Sequence, residues 1–277
     1  MAKRISSKIT TVVFVVSVCL GLFLIIAPLV LARVNKTRSD AKINAYEQSV
    51  AEETDRIEAM LAQADKYNQD LTQGVEGASE RYEEMLVTKD GVMGYIEIPR
   101  INIRDPIYHT VKEDVLQKGI GHMPSTSLPV GGIGTHAALS GHRGLPSSRL
   151  FTDLDQVKEG DIILIKVLTR QLAYEVYNIE VVNPDSTGNL EVDPDDDLLT
   201  LVTCTPYAVN THRLLVHARR TEYKEEMTGI VAEHTISESD RILLTALGIV
   251  VVILALDIVV ILKRHQRIRK AEKPNKR

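Results

Sequence analysis

Cys204 and Arg213 are spaced so that a thiol and a guanidinium could act together in acyl transfer. Cys204 ends a run of β-forming residues, 198–204, and Arg213 precedes a second run, 214–218. Because Pro206 marks a turn between the runs, they predict neighbouring antiparallel strands with both side chains at one rim. A nearby cation favours the nucleophilic thiolate, and a guanidinium can donate hydrogen bonds to an oxygen that gains negative charge.

His142 is the predicted proton carrier for this chemistry. It lies in the loop sequence SGHRG, residues 140–144, where a β-like run ends in a composition that exposes a side chain at a rim. His136, His212 and His217 lie in or near the same runs. His136 should point elsewhere because it sits inside the strand, and His212 directly adjoins the arginine. A lone cysteine or histidine is otherwise often a structural residue, so the three residues are proposed together.

The stretches that carry these residues resemble the sortases, and in particular the class C, pilus-assembling sortases of Gram-positive bacteria. The similar stretches are TLVTCTP (200–206), NTHRLLV (210–216), LSGHRGLPSSRLFTDLD (139–155) and GYIEIPRINI (94–103). The resemblance covers roughly residues 90–220. It implies a mainly β fold, the sortase-type closed eight-stranded β-barrel.

The resemblance also implies roles for single residues. Cys204 corresponds to the nucleophile, His142 to the catalytic histidine and Arg213 to the catalytic arginine. Thr203 and Thr205 are candidates for substrate binding or for the oxyanion site, where the backbone N–H of Thr205 could be a second donor. The implied reaction is transpeptidation at an LPXTG-like sorting motif through a thioester.

The implied partners are pilin subunits, one with a C-terminal sorting motif and one with an acceptor lysine. The alternative within the family is a housekeeping sortase, which would attach surface proteins to cell-wall peptide with the same three residues. The second apolar segment and the sequence TPYAVNTHR favour the pilus class. A non-enzymatic surface-binding barrel is a third alternative, and it would require neither the cysteine nor the histidine.

Two apolar segments, residues 10–32 and 242–262, predict transmembrane helices that flank the barrel. A run of Lys and Arg follows the second segment, so the positive-inside rule places the tail 263–277, and with it residues 1–9, in the cytoplasm. The catalytic part is then predicted outside the cell membrane. The alternative for residues 10–32 is a cleavable signal peptide, although this segment is longer than usual signals.

The remaining segments are a helical or lid region at 33–90, the barrel at 91–222 and a linker at 223–241. Alternating or β-rich patterns predict seven strands: 92–101, 107–110, 135–140, 161–167, 172–182, 198–204 and 214–219. Short helical turns are expected at 113–118 and 149–155.

The charged segment 39–86 predicts helix broken around 74–77, with one apolar face docked on the barrel. That face contains Ile43, Tyr46, Val50 and Ile57. Class C sortases usually carry an Asp-Pro-aromatic lid anchor in this region, and residues 40–90 contain none. A shortened or absent lid is therefore expected, with Asp70 or Tyr82 as alternative anchors.

Composition excludes several function classes. The formal net charge of −4 gives no basic field for nucleic acid. Cys19 lies in an apolar segment, so the two cysteines predict no disulfide, and no Cys/His cluster has zinc-ligand spacing. Residues 131–134, GGIG, lack the lysine of a phosphate loop. We therefore expect no metal and no cofactor, and the aspartates of 193–197 are expected to form a solvated turn.

Overall fold

A computed structural model of the chain describes residues 2–145, 148–185, 190–229 and 238–271. Parts of the predicted linker 223–241 and of the tail 263–277 lie outside these residues. The chain divides into two compact units: Leu31–Ser237, and a second unit formed by Met1–Val30 with Glu238–Arg277. Each unit is described separately below.

The larger unit contains a closed β-barrel of eight strands. The strands are β1 Val92–Ile98, β2 Ile103–His109, β3 Ile120–His122, β4 Thr135–Ser140, β5 Ile162–Val167, β6 Arg170–Val182, β7 Asp197–Thr205 and β8 His212–Thr221. Their order around the barrel is β1-β2-β3-β4-β7-β8-β6-β5, and β5 pairs with β1 to close it. The predicted eight-stranded barrel is confirmed, and closure leaves no exposed strand edge.

All seven strands predicted from the pattern are present, whereas β3 was not predicted. It is only three residues long and contains Gly121, so it has neither the length nor the composition of a strand signal. The first strand is shorter than predicted, because Pro99 begins a 3-10 turn, Pro99–Ile101, followed by Asn102 in the left-handed conformation. The second predicted strand begins earlier than expected, at Ile103.

Two of the strand pairs are parallel, β2 with β3 and β4 with β7. The β2–β3 connection contains a short helix, α3 Glu113–Leu116, and the predicted turn near residue 149 is a 3-10 turn at Leu154–Gln156. Because β4 and β7 run in the same direction, their C-terminal ends meet at one rim of the barrel. This rim carries the residues for which the sequence predicts chemistry.

Two helices precede the barrel, α1 Ala2–Glu52 and α2 Thr54–Thr72, and a 3-10 turn at Ser79–Glu84 follows them. The predicted break around 74–77 is present, and the chain has a further break at Glu53 that was not predicted. The predicted docking face is confirmed, since Ile43, Tyr46 and Ile57 are buried in the barrel's core cluster with Val50 packed beside them.

Specific hydrogen bonds fix these helices to the barrel. The Tyr46 hydroxyl donates to the Met93 carbonyl at 2.9 Å and accepts from the Leu168 N–H at 2.6 Å. The Asn68 side chain bonds both backbone groups of Leu128, at 3.0 and 2.7 Å, as a neighbouring strand would. Ser39 donates to the buried carboxylate of Asp105 at 3.0 Å.

The turn at residues 193–197 differs in part from the prediction. Asp193 and Asp195 are exposed as expected, but Asp197 is buried. Its carboxylate accepts from the Gly132 N–H at 2.8 Å and from the Tyr174 hydroxyl at 2.9 Å. Burial raises the pKa of Asp197 above its usual range. The residue therefore closes the lower end of β7 instead of facing solvent.

The smaller unit contains the first part of α1 and the fourth helix, α4 Glu238–Ala271. Among the residues that the structure describes, two helices are long and apolar enough to cross a membrane: α1 from Val12 onward, and α4 at Leu244–Ile261. Their large apolar side chains are exposed, for example Phe23 at 66% and Val260 at 63%. Helices that are apolar all round are typical of membrane spans.

Candidate active site

Cys204 and Arg213 are cross-strand partners. They lie directly opposite each other in the antiparallel β7–β8 pair, one position before the last registered pair at this rim. Directly opposed residues in an antiparallel pair project to the same face with Cβ atoms about 5 Å apart. The Cys204 side chain is partly exposed and unpaired by any disulfide. The predicted placement of thiol and guanidinium at one rim is confirmed.

The Arg213 guanidinium is nearly uncommitted within the described part of the chain. One of its nitrogens donates to the carbonyl of the preceding residue, His212, at 3.2 Å. The guanidinium is half-buried, which weakens the competition from water for its remaining N–H groups. These donors are therefore available to an oxygen that develops charge beside Cys204.

His142 reaches the same rim through the parallel β4–β7 pair. Ser140, the last residue of β4, is paired with Val202, and His142 and Cys204 each follow their strand partner by two residues. The Gly141 N–H continues the ladder by donating to the Val202 carbonyl at 3.1 Å. The histidine and the cysteine therefore leave neighbouring strands at the same level.

Gly141 is required where it stands because the backbone passes close to two apolar side chains. A Cβ at this position would lie 2.7 Å from the Phe151 ring and 2.8 Å from the Ile120 side chain. Phe151 also donates its N–H to the His142 carbonyl at 3.1 Å. The close approach fixes the backbone of the loop immediately before the histidine.

A carboxylate lies beside the histidine. His142 Nε2 is 3.2 Å from Glu113 Oε1, and the same oxygen accepts from Gln117 at 2.6 Å. The hydrogen bond from Gln117, followed by the charge of His142, lowers the pKa of Glu113. The carboxylate and the imidazole form an exposed pair, so their interaction is weak.

Arg143 was not predicted from the sequence as a site residue, yet it joins the loop that carries His142 to the end of β7, the strand that carries Cys204. Its side chain is only 2% exposed. It donates to Thr205 Oγ1 at 3.1 Å, to the Thr152 carbonyl at 3.2 Å and to Asp155 at 2.5 Å. A buried guanidinium with such partners holds the loop and the strand end together, and the sequence signal was its place directly after the histidine.

Thr203 and Thr205, the predicted substrate-binding residues, have internal partners for their hydroxyl groups. Thr203 Oγ1 is buried and donates to the Gly141 carbonyl at 2.7 Å, which ties β7 to the loop before His142. Thr205 Oγ1 accepts from Arg143. The Thr203 hydroxyl is therefore committed to the fold, whereas the Thr205 hydroxyl accepts here and keeps its own hydrogen as a donor, beside the Thr205 N–H considered above.

Residues 96–221 match the family model described as the Sortase domain. Sortase C1 from Streptococcus agalactiae is 42% identical, with a TM-score of 0.63, over 66% of this chain and 98% of the solved chain. The chain belongs to the sortase family. A second similar structure is sortase C from Clostridium perfringens, which is 39% identical with a TM-score of 0.60, over 66% of this sortase and 99% of the solved chain.

The alignments with curated relatives are shorter or have lower sequence identity. Sortase A of Staphylococcus aureus is 27% identical over 76% of this sortase and 92% of its own length. Sortase D of Bacillus subtilis is 29% identical over 42% of this chain, and Sortase A of Streptococcus agalactiae is 34% identical over 50% of it. The alignments span 55% and 56% of the lengths of these last two relatives.

Of the other histidines named above, His136 and His217 lie below the rim trio, whereas His212 lies at the rim beside Arg213 and is paired with Thr205. His136 points away from the rim trio, as predicted, toward Thr200 and the Glu191 carbonyl. His217 lies on the same outer surface, four residues beyond Arg213 on β8. Within the described residues, no group of three or more His, Cys, Asp or Glu side chains is placed to hold a metal ion.

The two residues considered as lid anchors hold other parts of the sortase. The Tyr82 hydroxyl lies 2.9 Å from His122 Nδ1 and accepts from the Thr110 N–H at 3.1 Å, which fixes the 3-10 turn against β2 and β3. Asp70 accepts from Lys66 and Arg81, at 2.6 and 2.7 Å. These contacts make Tyr82 an anchor on the barrel wall.

Proposed function

We propose that this sortase is a cysteine transpeptidase that cleaves an LPXTG-like sorting motif and joins it to a lysine of a pilin subunit. The observation that carries the proposal is the cross-strand pair of Cys204 and Arg213, with His142 at the end of the neighbouring parallel strand. A thiolate, a proton carrier and a fork of hydrogen-bond donors are the groups required for acyl transfer.

In the first half-reaction, the Cys204 thiolate attacks the carbonyl carbon of the motif threonine. The oxygen that becomes negative is stabilised by Arg213 and by the backbone N–H of Thr205. The bond between the threonine carbonyl and the glycine nitrogen then breaks. The His142 imidazolium gives its proton to the leaving amine, so the products are a thioester and a neutral imidazole.

In the second half-reaction, the neutral amine of the acceptor lysine attacks the thioester carbonyl. His142 accepts the proton that this nitrogen loses, and the carbon–sulfur bond breaks to release the thiolate. The enzyme returns to its thiolate and imidazolium forms, and an isopeptide bond joins the two subunits. The exchange therefore needs no cofactor and consumes no water.

Similarity to class C structures supports the pilin assignment. Sortase C of Streptococcus pneumoniae, whose structure is described in relation to pilin substrate specificity, is 38% identical with a TM-score of 0.60. Sortase C1 of Pilus Island 1 of group B Streptococcus is 39% identical over the whole solved chain. We propose that this chain, like sortase C of Streptococcus pneumoniae, acts on a pilin substrate.

The proposal includes a two-pass membrane topology. The apolar parts of α1 and α4 would contact lipid, both termini would face the cytoplasm and the barrel would face outward. Proteolysis of intact protoplasts tests it, because the barrel should be cleaved while an epitope on the C-terminus stays protected. Loss of the epitope under the same conditions would contradict the topology.

The reaction is tested by incubating the full chain in detergent with a sorting-motif peptide and measuring its intact mass. We expect an acyl adduct on Cys204 that a lysine-bearing pilin domain releases and a glycine-based wall peptide does not. Release by the wall peptide would instead support attachment of proteins to the cell wall. If the accessible thiol is alkylated by iodoacetamide but forms no adduct with any sorting-motif peptide, the transpeptidase proposal is wrong.

A further inference from the structure

A continuous chain of hydrogen bonds, buried at its centre and partly buried at its two ends, crosses the outer face of the catalytic strands. His136 Nδ1 lies 2.8 Å from the Glu191 carbonyl, and His136 Nε2 lies 2.7 Å from Thr200 Oγ1. Thr200 Oγ1 lies 2.9 Å from His217 Nδ1, and His217 Nε2 lies 3.1 Å from Glu180 Oε1. The first link joins Glu191 to β4, and the other three connect β4, β7, β8 and β6 in that order; we call this set of residues the polar chain.

The polar chain lies on the same face as the active-site residues. The residues that alternate with it, such as Ala137, Leu199 and Val216, belong to the core inside the barrel. Alternation along a strand places the polar chain outside, on the face of Cys204 and Arg213. Outer-face residues are normally accessible to water, but Thr200 is fully buried. Something must cover this face.

The cover includes the segment 190–196, which leads into β7. Glu191 accepts the hydrogen bond of His136, and the Asp196 carbonyl accepts from the Gly134 N–H at 2.8 Å. The Asp196 carboxylate accepts from Arg219 at 3.0 Å. The His136 bond is therefore a direct tie between this covering segment and the strand that leads to His142.

Counting protons determines the charge of the polar chain. Each of its four links needs one hydrogen, and both ends, the Glu191 carbonyl and the Glu180 carboxylate, can only accept. Two neutral histidines and one threonine hydroxyl supply three hydrogens. Completing all four links therefore requires one further proton, which makes one histidine an imidazolium or Glu180 a neutral acid.

The position of this proton follows from the surroundings of the two rings. Burial, and then the charge of His217, lower the pKa of His136, so the neutral form with a proton on Nδ1 is favoured there. His217 faces the carboxylate of Glu180 and the ring of Tyr177, whose centroid is 6.2 Å away. With His136 donating from Nδ1 and Thr200 donating to His136, the extra proton belongs to the remaining link, between His217 Nε2 and Glu180 Oε1.

We propose that the polar chain, completed by a proton between His217 and Glu180, is a positioning network that holds segment 190–196 against the outer face beside the catalytic residues and so sets the affinity for the sorting motif. Thr200 and His217 are each four residues from Cys204 and Arg213 along the same strands. At about 3.3 Å per residue, that separation is about 13 Å, the length of four extended residues. Motif residues that precede the attacked carbonyl can reach this region, and this part rests on the proposed function.

The first experiment measures protonation and needs no turnover. The full chain, with ring-15N histidine, is placed in nanodiscs and its histidine signals are recorded at pH 7. We expect a proton between His217 Nε2 and Glu180 in addition to one on His217 Nδ1, and His136 to show a proton on Nδ1 alone. In Glu180→Gln, the extra proton should be lost. Two neutral rings in the unaltered chain, with the Glu180 carboxylate ionised, would overturn the proposal.

The second experiment separates positioning from general stability. Thr200→Val keeps the side-chain shape but removes the hydroxyl, whereas Thr200→Ser keeps the hydroxyl. We expect Thr200→Val and Glu180→Gln to speed amide hydrogen exchange of residues 190–196 by at least about tenfold, and Thr200→Ser to restore protection. Glu175→Gln is the matched control, because this carboxylate is exposed on the same strand as Glu180.

The same variants are then assayed for KM and kcat. The expected result is a KM for the motif peptide raised about five- to tenfold with kcat within about twofold, and recovery in Thr200→Ser. A fall in kcat at unchanged KM, or unchanged exchange of 190–196 in both Glu180→Gln and Thr200→Val, would overturn the proposal. If no acyl adduct forms in the unaltered chain, the proposed transpeptidase function is wrong. The hydrogen exchange of residues 190–196 and the histidine signals still test the polar chain in that case.

Discussion

Two trios of side chains occupy the same three strands, and they differ in what covers them. Cys204, His142 and Arg213 lie at the rim, whereas Thr200, His136 and His217 lie four to six residues lower on the same strands. The second trio is buried and every side-chain nitrogen or hydroxyl in it has a partner. The rim trio is partly exposed and has few partners within the described chain.

The comparison shows how one backbone frame supports two uses of polar side chains. Register and alternation place both trios on the outer face, so geometry alone does not separate them. Where a segment of the protein supplies the missing partners, polar groups fix structure. Where no segment covers them, the hydrogen-bond donors remain available to a substrate, whose developing negative charge can accept their hydrogen bonds.

The largest effect is expected for Cys204→Ala. Removing the nucleophile should lower transpeptidation by at least about 10³-fold, because no thioester can form. The melting temperature should change little, since the thiol is partly exposed and few groups depend on it. Peptide release and circular-dichroism melts of the full chain in micelles check both points. If Cys204→Ala turned over substrate like the wild type, or if its melts lost their cooperative transition, the distinction between a reactive rim trio and a structural lower trio would be wrong.

Arg213→Lys tests whether the rim needs the guanidinium fork or only a charge. We expect a loss in kcat of about 10²- to 10³-fold, as for removal of one oxyanion donor, because an ammonium cannot donate the same fork. Arg219→Lys is the control on the same strand, where the guanidinium pairs with Asp196 at the surface. Comparable losses in both variants would show that the effect is not specific to the rim.

Asp105→Asn tests a buried carboxylate that has a hydrogen-bond partner but destabilises the fold when it is ionised. Burial raises the pKa of Asp105 to about 6, against an unfolded value near 4. Between these pH values the folded chain therefore keeps a proton on Asp105 that the unfolded chain has lost. The stabilisation that comes from this protonation is complete below pH 4 and is lost as the pH rises through 6.

For this variant, the expected gain in unfolding free energy over the wild type is up to about 3 kcal/mol at pH 8 and close to zero at pH 4. Denaturant titrations of both chains at the two pH values measure it. Asp105→Ala serves as a comparison, because it also removes the acceptor of the Ser39 hydrogen bond. An equal change at both pH values would mean that ionisation of Asp105 is not the cause.

The smallest effect is expected for Glu113→Gln. This exposed carboxylate lies 3.2 Å from His142 Nε2, and an exposed pair of this kind contributes little to the position of the ring. The rate at the optimum should change by less than about threefold. A tenfold loss would show that the rim depends on internal partners as strongly as the polar chain does.

Sequence reasoning found the rim trio because each member lies at a strand end beside turn residues. It did not find Arg143 as a site residue or the polar chain, because their partners are far apart in sequence. His136 and Thr200, for example, are 64 residues apart and meet only through the parallel β4–β7 pairing. Local patterns cannot specify which distant strands become neighbours.

The same limit explains the errors in the fold. The pattern of acidic residues at 193–197 predicts a solvated turn, but burial of Asp197 depends on Gly132 and Tyr174, two distant donors. The strand β3 exists because it fills the gap between β2 and β4, and its three residues carry too little local preference to be recognised. Docking of the N-terminal helices was predictable because it depends on one apolar face.

The β7–β8 hairpin has a consequence for protein engineering. Cys204 and Arg213 are held by strand register, and the connection between them, residues 206–211, lies beyond the last pair, Thr205 with His212. Changing that connection therefore leaves the spacing of thiol and guanidinium untouched. The tip of the hairpin can therefore be randomised in a search for variants that use new acceptor amines, while the strand register keeps the reactive pair in place.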